Sequence, residues 1–305
     1  MLDHGIIPYE LSITWPCRAA ADKFTKVAAH ADASGGVMRL KDKVAFITGA
    51  TSGIGAVLAR RFAAQGARVV LAARRTEKGE AVVDEIRREG GQAAFSRMDQ
   101  SIEEDVRQSI EFAVHTFGSL NVLVNNAGPV DLIQSGADRK AHELDTSAFD
   151  RIVKVTLYGP FWCCKYALPH MIRAGGGAIV NISSIAAVTG MPMLPAYSAA
   201  KGALSALTRQ LAFDYGADHI RVNAIITGLI VHEGSQKQVD TPEKYQAYRG
   251  RHLTRLGVPD DIANAAIYLA SNESEFVTGS HINVEGGVLV KSRPDAELIK
   301  GTATR

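Results

Sequence analysis

The segment Tyr197-Ser198-Ala199-Ala200-Lys201 places a phenol and an ammonium four residues apart at the start of an Ala-rich helical stretch, hence one turn apart on one face. A tyrosine with an ordinary pKa of about 10 is a poor base near neutrality. A neighbouring cation favours phenolate and draws that pKa down. Tyr197 and Lys201 therefore offer an acid/base pair for a substrate oxygen, provided a hydroxyl donor holds that oxygen. Ser183-Ser184, ending an apolar run, supplies one. The same Y-x-x-x-K spacing also describes an ordinary surface pair, so the surrounding elements must decide.

A second cluster lies at Thr48-Gly49-Ala50-Thr51-Ser52-Gly53-Ile54-Gly55, between an apolar run and a helical stretch. Gly49, Gly53 and Gly55 allow a tight turn and a close backbone approach to a pyrophosphate, with Ile54 opening the helix among them. The helix start presents free N–H groups to that anion, and Thr51 and Ser52 add hydroxyls. A lone glycine motif also fits a simple tight turn; its place between strand and helix favours a dinucleotide. An acidic residue about twenty positions further would hold the ribose 2′-hydroxyl of NAD. Here the strand ends in Arg74-Arg75, which suits the 2′-phosphate of NADP(H), favoured over NAD(H). The alternative is a pair of surface arginines at a helix start. Asp99 and Gln100 follow the third apolar run, where Asp99 fits an adenine amino group. Asn126, Ala127 and Gly128 follow the fourth, where small residues admit the cofactor.

The elements that must position these groups alternate. Predicted strands are Val44–Thr48, Arg68–Ala73, Ala93–Met98, Val122–Asn125, Ala178–Ser183, Arg221–Ile226 and His281–Val284. Most are rich in Val, Ile or Ala with few alternating polar positions, as in strands buried on both faces. Predicted helices are Gly53–Gln65, Glu77–Glu89, Ile102–Phe117, Phe149–Met171, Ala196–Asp214 and Pro259–Ala270. This alternation specifies an α/β fold: a doubly wound, mainly seven-stranded parallel sheet of Rossmann type with helices on both faces, in a single domain over 38–305. Residues 1–37, with Pro8, Pro16 and Ser34-Gly35-Gly36, lack a sustained period and read as a flexible N-terminal extension.

Composition narrows the function. The 305 residues are 46% hydrophobic and 22% charged with a formal net charge of +2, which is globular and too weakly basic for a nucleic-acid surface. The three cysteines, Cys17, Cys163 and Cys164, offer neither C-x-x-C metal spacing nor an obvious disulfide, so no metal is expected and a reducing, cytoplasmic setting is. No apolar stretch approaches about 18 residues, so no membrane partner is expected.

In the order of its motifs the chain resembles the short-chain dehydrogenase/reductase family in its single-domain form. The T-G-x-x-x-G-x-G turn, Asn125-Asn126-Ala127-Gly128, the serine and Y-x-x-x-K occur in sequence, and the resemblance covers roughly Leu40 to Val288. Ile220-Arg221-Val222-Asn223-Ala224 and Val284-Glu285-Gly286-Gly287 extend it. The resemblance implies an NAD(P)-dependent oxidoreductase that moves a hydride between a nicotinamide and the carbonyl or secondary alcohol of a small organic substrate. It selects Ser184, thirteen residues before Tyr197, to orient the carbonyl. It makes Tyr197 the acid/base and Lys201 the group that binds the nicotinamide ribose and tunes Tyr197, both beside the cofactor. It also implies a homo-oligomer, tetramer or dimer.

Three positions depart from the family pattern. Thr156, in Val155-Thr156-Leu157, stands where an asparagine usually distorts the helix and holds a water, leaving Thr156 to serve that proton relay through its hydroxyl. Thr227-Gly228 replaces Pro-Gly, leaving backbone contacts near Gly228 and Ile230 for the carboxamide. His232 stands where a threonine usually meets the diphosphate, either as a substitute donor or as a loop histidine facing solvent. The segment Pro129–Ala148 and a loop at about 229–251 should line the substrate pocket, without selecting among ketones, steroids, sugars or polyols. Two other readings stay open: a dinucleotide-binding regulatory protein without turnover, and an isomerase, epimerase or dehydratase on the same fold.

Overall fold

A computed structural model describes residues 38–291 of the chain, so the expected N-terminal extension at 1–37 lies outside the described residues. Seven strands form one sheet: β1 (Val44–Thr48), β2 (Arg68–Ala73), β3 (Gln92–Arg97), β4 (Val122–Asn125), β5 (Gly177–Ile182), β6 (Ile220–Thr227) and β7 (His281–Val284). Their spatial order is β3-β2-β1-β4-β5-β6-β7, and every pairing is parallel. Each expected strand is present within about a residue at either end.

Because successive strand residues point to opposite faces, β1 serves two cores at once. Ala45 and Ile47 join Val69 and Leu71 of β2 against three helices: α1 (Gly53–Ala64), through Leu58 and Phe62; α2 (Thr76–Arg88), through Val83 and Ile86; and α9 (Pro259–Ala270), through Ile262 and Ile267. Val44 and Phe46 face the other way, with Val70 and Leu123. There they meet α3 (Glu103–Phe117), through Val106 and Ile110; α6 (Gly159–Arg173), through Cys163, Leu168 and Met171; and α7 (Pro195–Tyr215), through Leu211. Phe46 is fully buried, and removing its ring would cost about 3–5 kcal/mol.

Three further helices sit at the carboxyl end of the sheet or lead to it: α4 (Val130–Gln134), α5 (Thr146–Val153) and α8 (Pro242–Arg249). The single helix expected at Phe149–Met171 is divided. A π-helical turn, Lys154–Tyr158, separates α5 from α6. Such turns carry one residue more than the α repeat allows and arise where a side chain enters the hydrogen-bond ladder. That side chain is Gln100: its Nε2 donates to Val155 O at 2.8 Å, and its stem lies where Gly159 has no Cβ.

Candidate active site

The strand order reverses between β1 and β4, and the carboxyl ends there open into a cavity of about 920 Å³. This is where open parallel sheets bind ligands, since the loops after β1 and β4 leave in opposite directions. Gly49, Thr51, Ser52, Ile54 and Gly55 form one wall. A Cβ at Gly55 would overlap the carbonyl oxygen of Gly49, so the turn closes this tightly only with glycine. Thr48 Oγ1 accepts the N–H groups of Asn126 and Ala127, both at 3.0 Å, while Asn126 Nδ2 donates to Thr48 O at 2.9 Å. Asn126 thus braces the glycine turn against the end of β4, and Ala127 and Gly128 face the cavity.

Gly53, at φ +53°, is covered by His232: a Cβ there would fall 2.6 Å from the imidazole Nδ1. That Nδ1 accepts from Gly234 N–H at 2.9 Å, which leaves the proton of the neutral ring on Nε2. Burial lowers the pKa of His232 and keeps it neutral. His232 therefore lines the cavity over the turn instead of facing solvent. Its loop is fastened by Gln134 Nε2, which donates to Gly234 O, and by Lys78 facing Glu233 at 3.7 Å.

The two arginines part company. Arg75 Nη2 folds back onto the turn, donating to Ser52 Oγ at 2.7 Å and Thr51 Oγ1 at 3.1 Å. Arg74 reaches across the mouth to Asp131 of α4. Asp99 Oδ1 accepts from the backbone and the hydroxyl of Ser101. Burial pushes that carboxyl up, but the Ser101 bonds and the charges of Arg74 and Arg97 outweigh it and hold the pKa below its ordinary value. Gln100 borders the cavity, yet its amide is taken up by the π-turn.

On the opposite wall Tyr197 and Lys201 face the cavity from the first turns of α7. Ser184, just past β5, accepts from Ala186 N–H at 3.2 Å and lies near enough to the Tyr197 phenol to oppose the rise in its pKa, whereas the neighbouring Ser183 hydroxyl is buried without a protein partner. Lys201 is buried, its Nζ 5.6 Å from the centre of the Tyr197 ring and donating to Ile182 O at 2.6 Å. The electrostatics differ from the expectation of a depressed tyrosine. Burial pushes Tyr197 up to about 12, opposed only by Ser184, and pushes Lys201 down to about 8. Desolvation of the phenolate sets the direction of the Tyr197 shift. Beneath the pair, Asn125 of β4 donates to Asn181 of β5 at 2.8 Å, and Asn181 donates to Thr208 of α7 at 2.9 Å. This buried polar chain fixes α7 against the sheet.

Thr156 lies in the π-turn, fully buried, and its hydroxyl has no protein partner. The helix distortion expected of an asparagine is thus present around a threonine. Gly228 and Ile230 follow Thr227, which lines the main cavity. They line a separate cleft of about 490 Å³ with Gly257 and Glu285, and Gly228 packs against the Glu285 backbone. Sequence reasoning passed over Arg151 and Lys154, which border the cavity but read as solvated helix charges, and Gln134 and Glu233, whose partners are distant in sequence.

The glycine cradle, the hydroxyls and guanidinium beside it and the small residues after β4 fit a dinucleotide. Comparison with known proteins agrees. A family profile described as enoyl-(acyl carrier protein) reductase matches residues 49–289. An uncharacterized oxidoreductase, YxbG, of Bacillus subtilis (strain 168) is 39% identical over 86% of this chain and 96% of its own. A 7alpha-hydroxysteroid dehydrogenase of Clostridium sardiniense is 38% identical, over 82% of this chain and 94% of its own. The solved structure of a 7alpha-hydroxysteroid dehydrogenase complexed with NADH and 7-oxo glycochenodeoxycholic acid superposes with a TM-score of 0.77 at 36% identity, covering 82% of this chain and 96% of that one. With the glycine turn and the Tyr197–Lys201 pair in one crevice, the chain belongs to the short-chain dehydrogenase/reductase family of NAD(P)-dependent oxidoreductases.

Proposed function

We propose that this oxidoreductase acts as an alcohol dehydrogenase and ketone reductase on CH–OH groups, with Ser184, Tyr197 and Lys201 as its catalytic residues and NADP(H) favoured over NAD(H). The observation that carries the reading is Tyr197 beside a buried Lys201, its Nζ 5.6 Å from the ring centre, both lining the cavity that the glycine turn also lines. A substrate carbonyl oxygen entering between the hydroxyls of Ser184 and Tyr197 accepts from both. Tyr197, protonated at neutral pH with its pKa near 12, gives its proton to that oxygen as negative charge develops there. When bound, the nicotinamide supplies the hydride to the carbonyl carbon, or takes it up in the reverse direction. Lys201, with a pKa of about 8, is charged at neutral pH and stabilises the phenolate left behind. Thr156 would hold a water that returns the proton.

Arg74 and Arg75 support the 2′-phosphate, since both guanidiniums line the end of the cavity beyond the glycine turn. Exposed Phe112 of α3 and Phe161 of α6 support a homo-oligomer. The test is oxidation of NADPH and NADH by cyclohexanone and by a 7-oxo steroid, with Tyr197→Phe as control. Turnover should fall about 10²–10⁴-fold in the variant with cofactor affinity within twofold of the parent. Near-normal turnover in the variant would remove Tyr197 as the acid/base.

A further inference from the structure

Helix α7 carries Tyr197 in its first turn, and that turn has a capping problem. Its N-cap is Leu194, whose side chain accepts no hydrogen bond, and Pro195 follows at N1 without an N–H. The free donors are the N–H groups of Ala196 and Tyr197. Both are satisfied by one remote carboxylate: Ala196 N donates to Asp138 Oδ1 at 3.2 Å and Tyr197 N to Asp138 Oδ2 at 2.9 Å. Asp138 is 3% exposed, although its neighbours Arg139 and Lys140 are exposed. It belongs to the segment Pro129–Ala148, which contains α4 and borders the cavity.

We infer that Asp138 is the positioning residue for the acid/base: it ties the substrate-side segment to the backbone of Tyr197 and so fixes the phenol relative to Ser184. The physical reason is the sharing of one rigid group. The two carboxylate oxygens hold consecutive amides, so a shift of the 129–148 segment moves the N-terminal turn of α7 with it. The phenol hangs from the second of those amides. Its distance to the reacting oxygen is sensitive at the scale of 1 Å, where misplacement can cost about 10²-fold in rate. A local N-cap serine would satisfy the same donors but leave this turn independent of the segment.

The inference rests on Tyr197 being the acid/base, and the experiment separates the two. In the full chain, D138N keeps the shape but turns one acceptor oxygen into an NH₂ facing an N–H. Turnover of cyclohexanone or a 7-oxo steroid with NADPH should fall tenfold or more, while the cofactor dissociation constant changes less than twofold. Between crystal structures of the parent and D138N, the Tyr197 phenol should have shifted relative to Ser184. Because Asp138 acts only through the phenol, D138N should add less than twofold to the loss already caused by Y197F. If Y197F retains activity, the acid/base assignment fails. If Y197F is inactive but folded D138N turns over within twofold of the parent with the Tyr197 phenol unmoved, the positioning role of Asp138 alone is overturned. Should D138N depress the melting temperature too far, D138N/L194S restores a capping hydroxyl at the N-cap. The turnover loss should persist there, and its full recovery would show that Asp138 merely caps the helix and would overturn the inference.

Discussion

Arg74 Nη2 lies 2.6 Å from Asp131 Oδ2, and the pair spans the mouth of the cavity between the end of β2 and the short helix α4. The guanidinium expected to receive a 2′-phosphate is therefore held by a carboxylate that the phosphate must displace. Both side chains are more than half exposed, so the pair itself is worth little. Arg74→Ala should weaken NADPH binding about tenfold or more and leave NADH within twofold, because one charge-assisted contact disappears. Asp131→Ala should do the opposite, tightening NADPH by removing the competitor. Fluorescence titration of the reduced cofactors against both variants measures this; tighter binding of NADH than NADPH by the parent protein would defeat the 2′-phosphate assignment.

Lys201 makes stability depend on pH in a way that function explains. In the folded chain its pKa is about 8, against an ordinary value of 10.5. Below about 8 both folded and unfolded chains hold the proton, and the folded chain bears the full cost of a buried ammonium. Between about 8 and 10.5 only the unfolded chain keeps it, so unfolding free energy rises with pH. Tyr197 acts oppositely, since its pKa is raised from 10.0 to about 12 and its contribution is lost across that interval. Lys201→Met should abolish the rise and make the cofactor-free protein more stable at pH 7, while turnover collapses. Denaturant melts at pH 7, 8, 9 and 10 for both proteins would show it, and parallel curves would contradict the assigned shift.

Thr156 can be tested by separating stability from rate. Its buried hydroxyl lacks a protein partner, and such a group commonly costs about 1–3 kcal/mol. Thr156→Val should leave the melting temperature equal or higher, yet slow turnover roughly fivefold by removing the polar handle for a relay water. Thr156→Asn should be tolerated, since the π-turn that accommodates a longer amide is already formed. Unchanged turnover and pH dependence in folded Thr156→Val would remove the residue from the mechanism.

Gly55→Ala probes the cradle. The added methyl has nowhere to go but the Gly49 carbonyl and the Asn126 amide, both parts of the brace between β1 and β4. Dinucleotide affinity should fall tenfold or more, with a stability loss of about 1–3 kcal/mol. Calorimetric titration of the cofactor together with a thermal melt checks both, and wild-type affinity would show that the turn is not the diphosphate site.

What the sequence disclosed and what it hid divide by range. The strands were legible because burial on both faces leaves continuous apolar runs, and Tyr197 and Lys201 because a spacing of four is local. The break at Lys154–Tyr158 was not, since its residues suit an ordinary helix and its cause, Gln100, arrives from another strand end. The second cleft that Gly228 and Ile230 line was also hidden, because the Glu285 backbone against which Gly228 packs is remote in sequence. His232 was left between donor and solvent; only the fold brings its ring onto Gly53. Asp138 gave no signal at all, because its partners at Ala196 and Tyr197 lie 58 and 59 residues further along the chain.

The reversal of strand order at β1 and β4 also bears on how the molecule assembles. Val44 N–H donates to Asn121 Oδ1 across 77 residues of chain, and the β1–β4 ladder must wait for that closure. The β1-β2-β3 portion is complete in sequence much earlier, carrying the glycine turn but not the β4 brace or the α7 wall. A nascent or partly unfolded chain therefore holds half a cradle and cannot bind a dinucleotide tightly. Occupancy then reports global folding, and saturating cofactor shifts the whole unfolding equilibrium by mass action, about 2.7 kcal/mol at a hundredfold excess over its dissociation constant. Inside a cell the supply of cofactor would thereby set the lifetime of the protein as well as its rate.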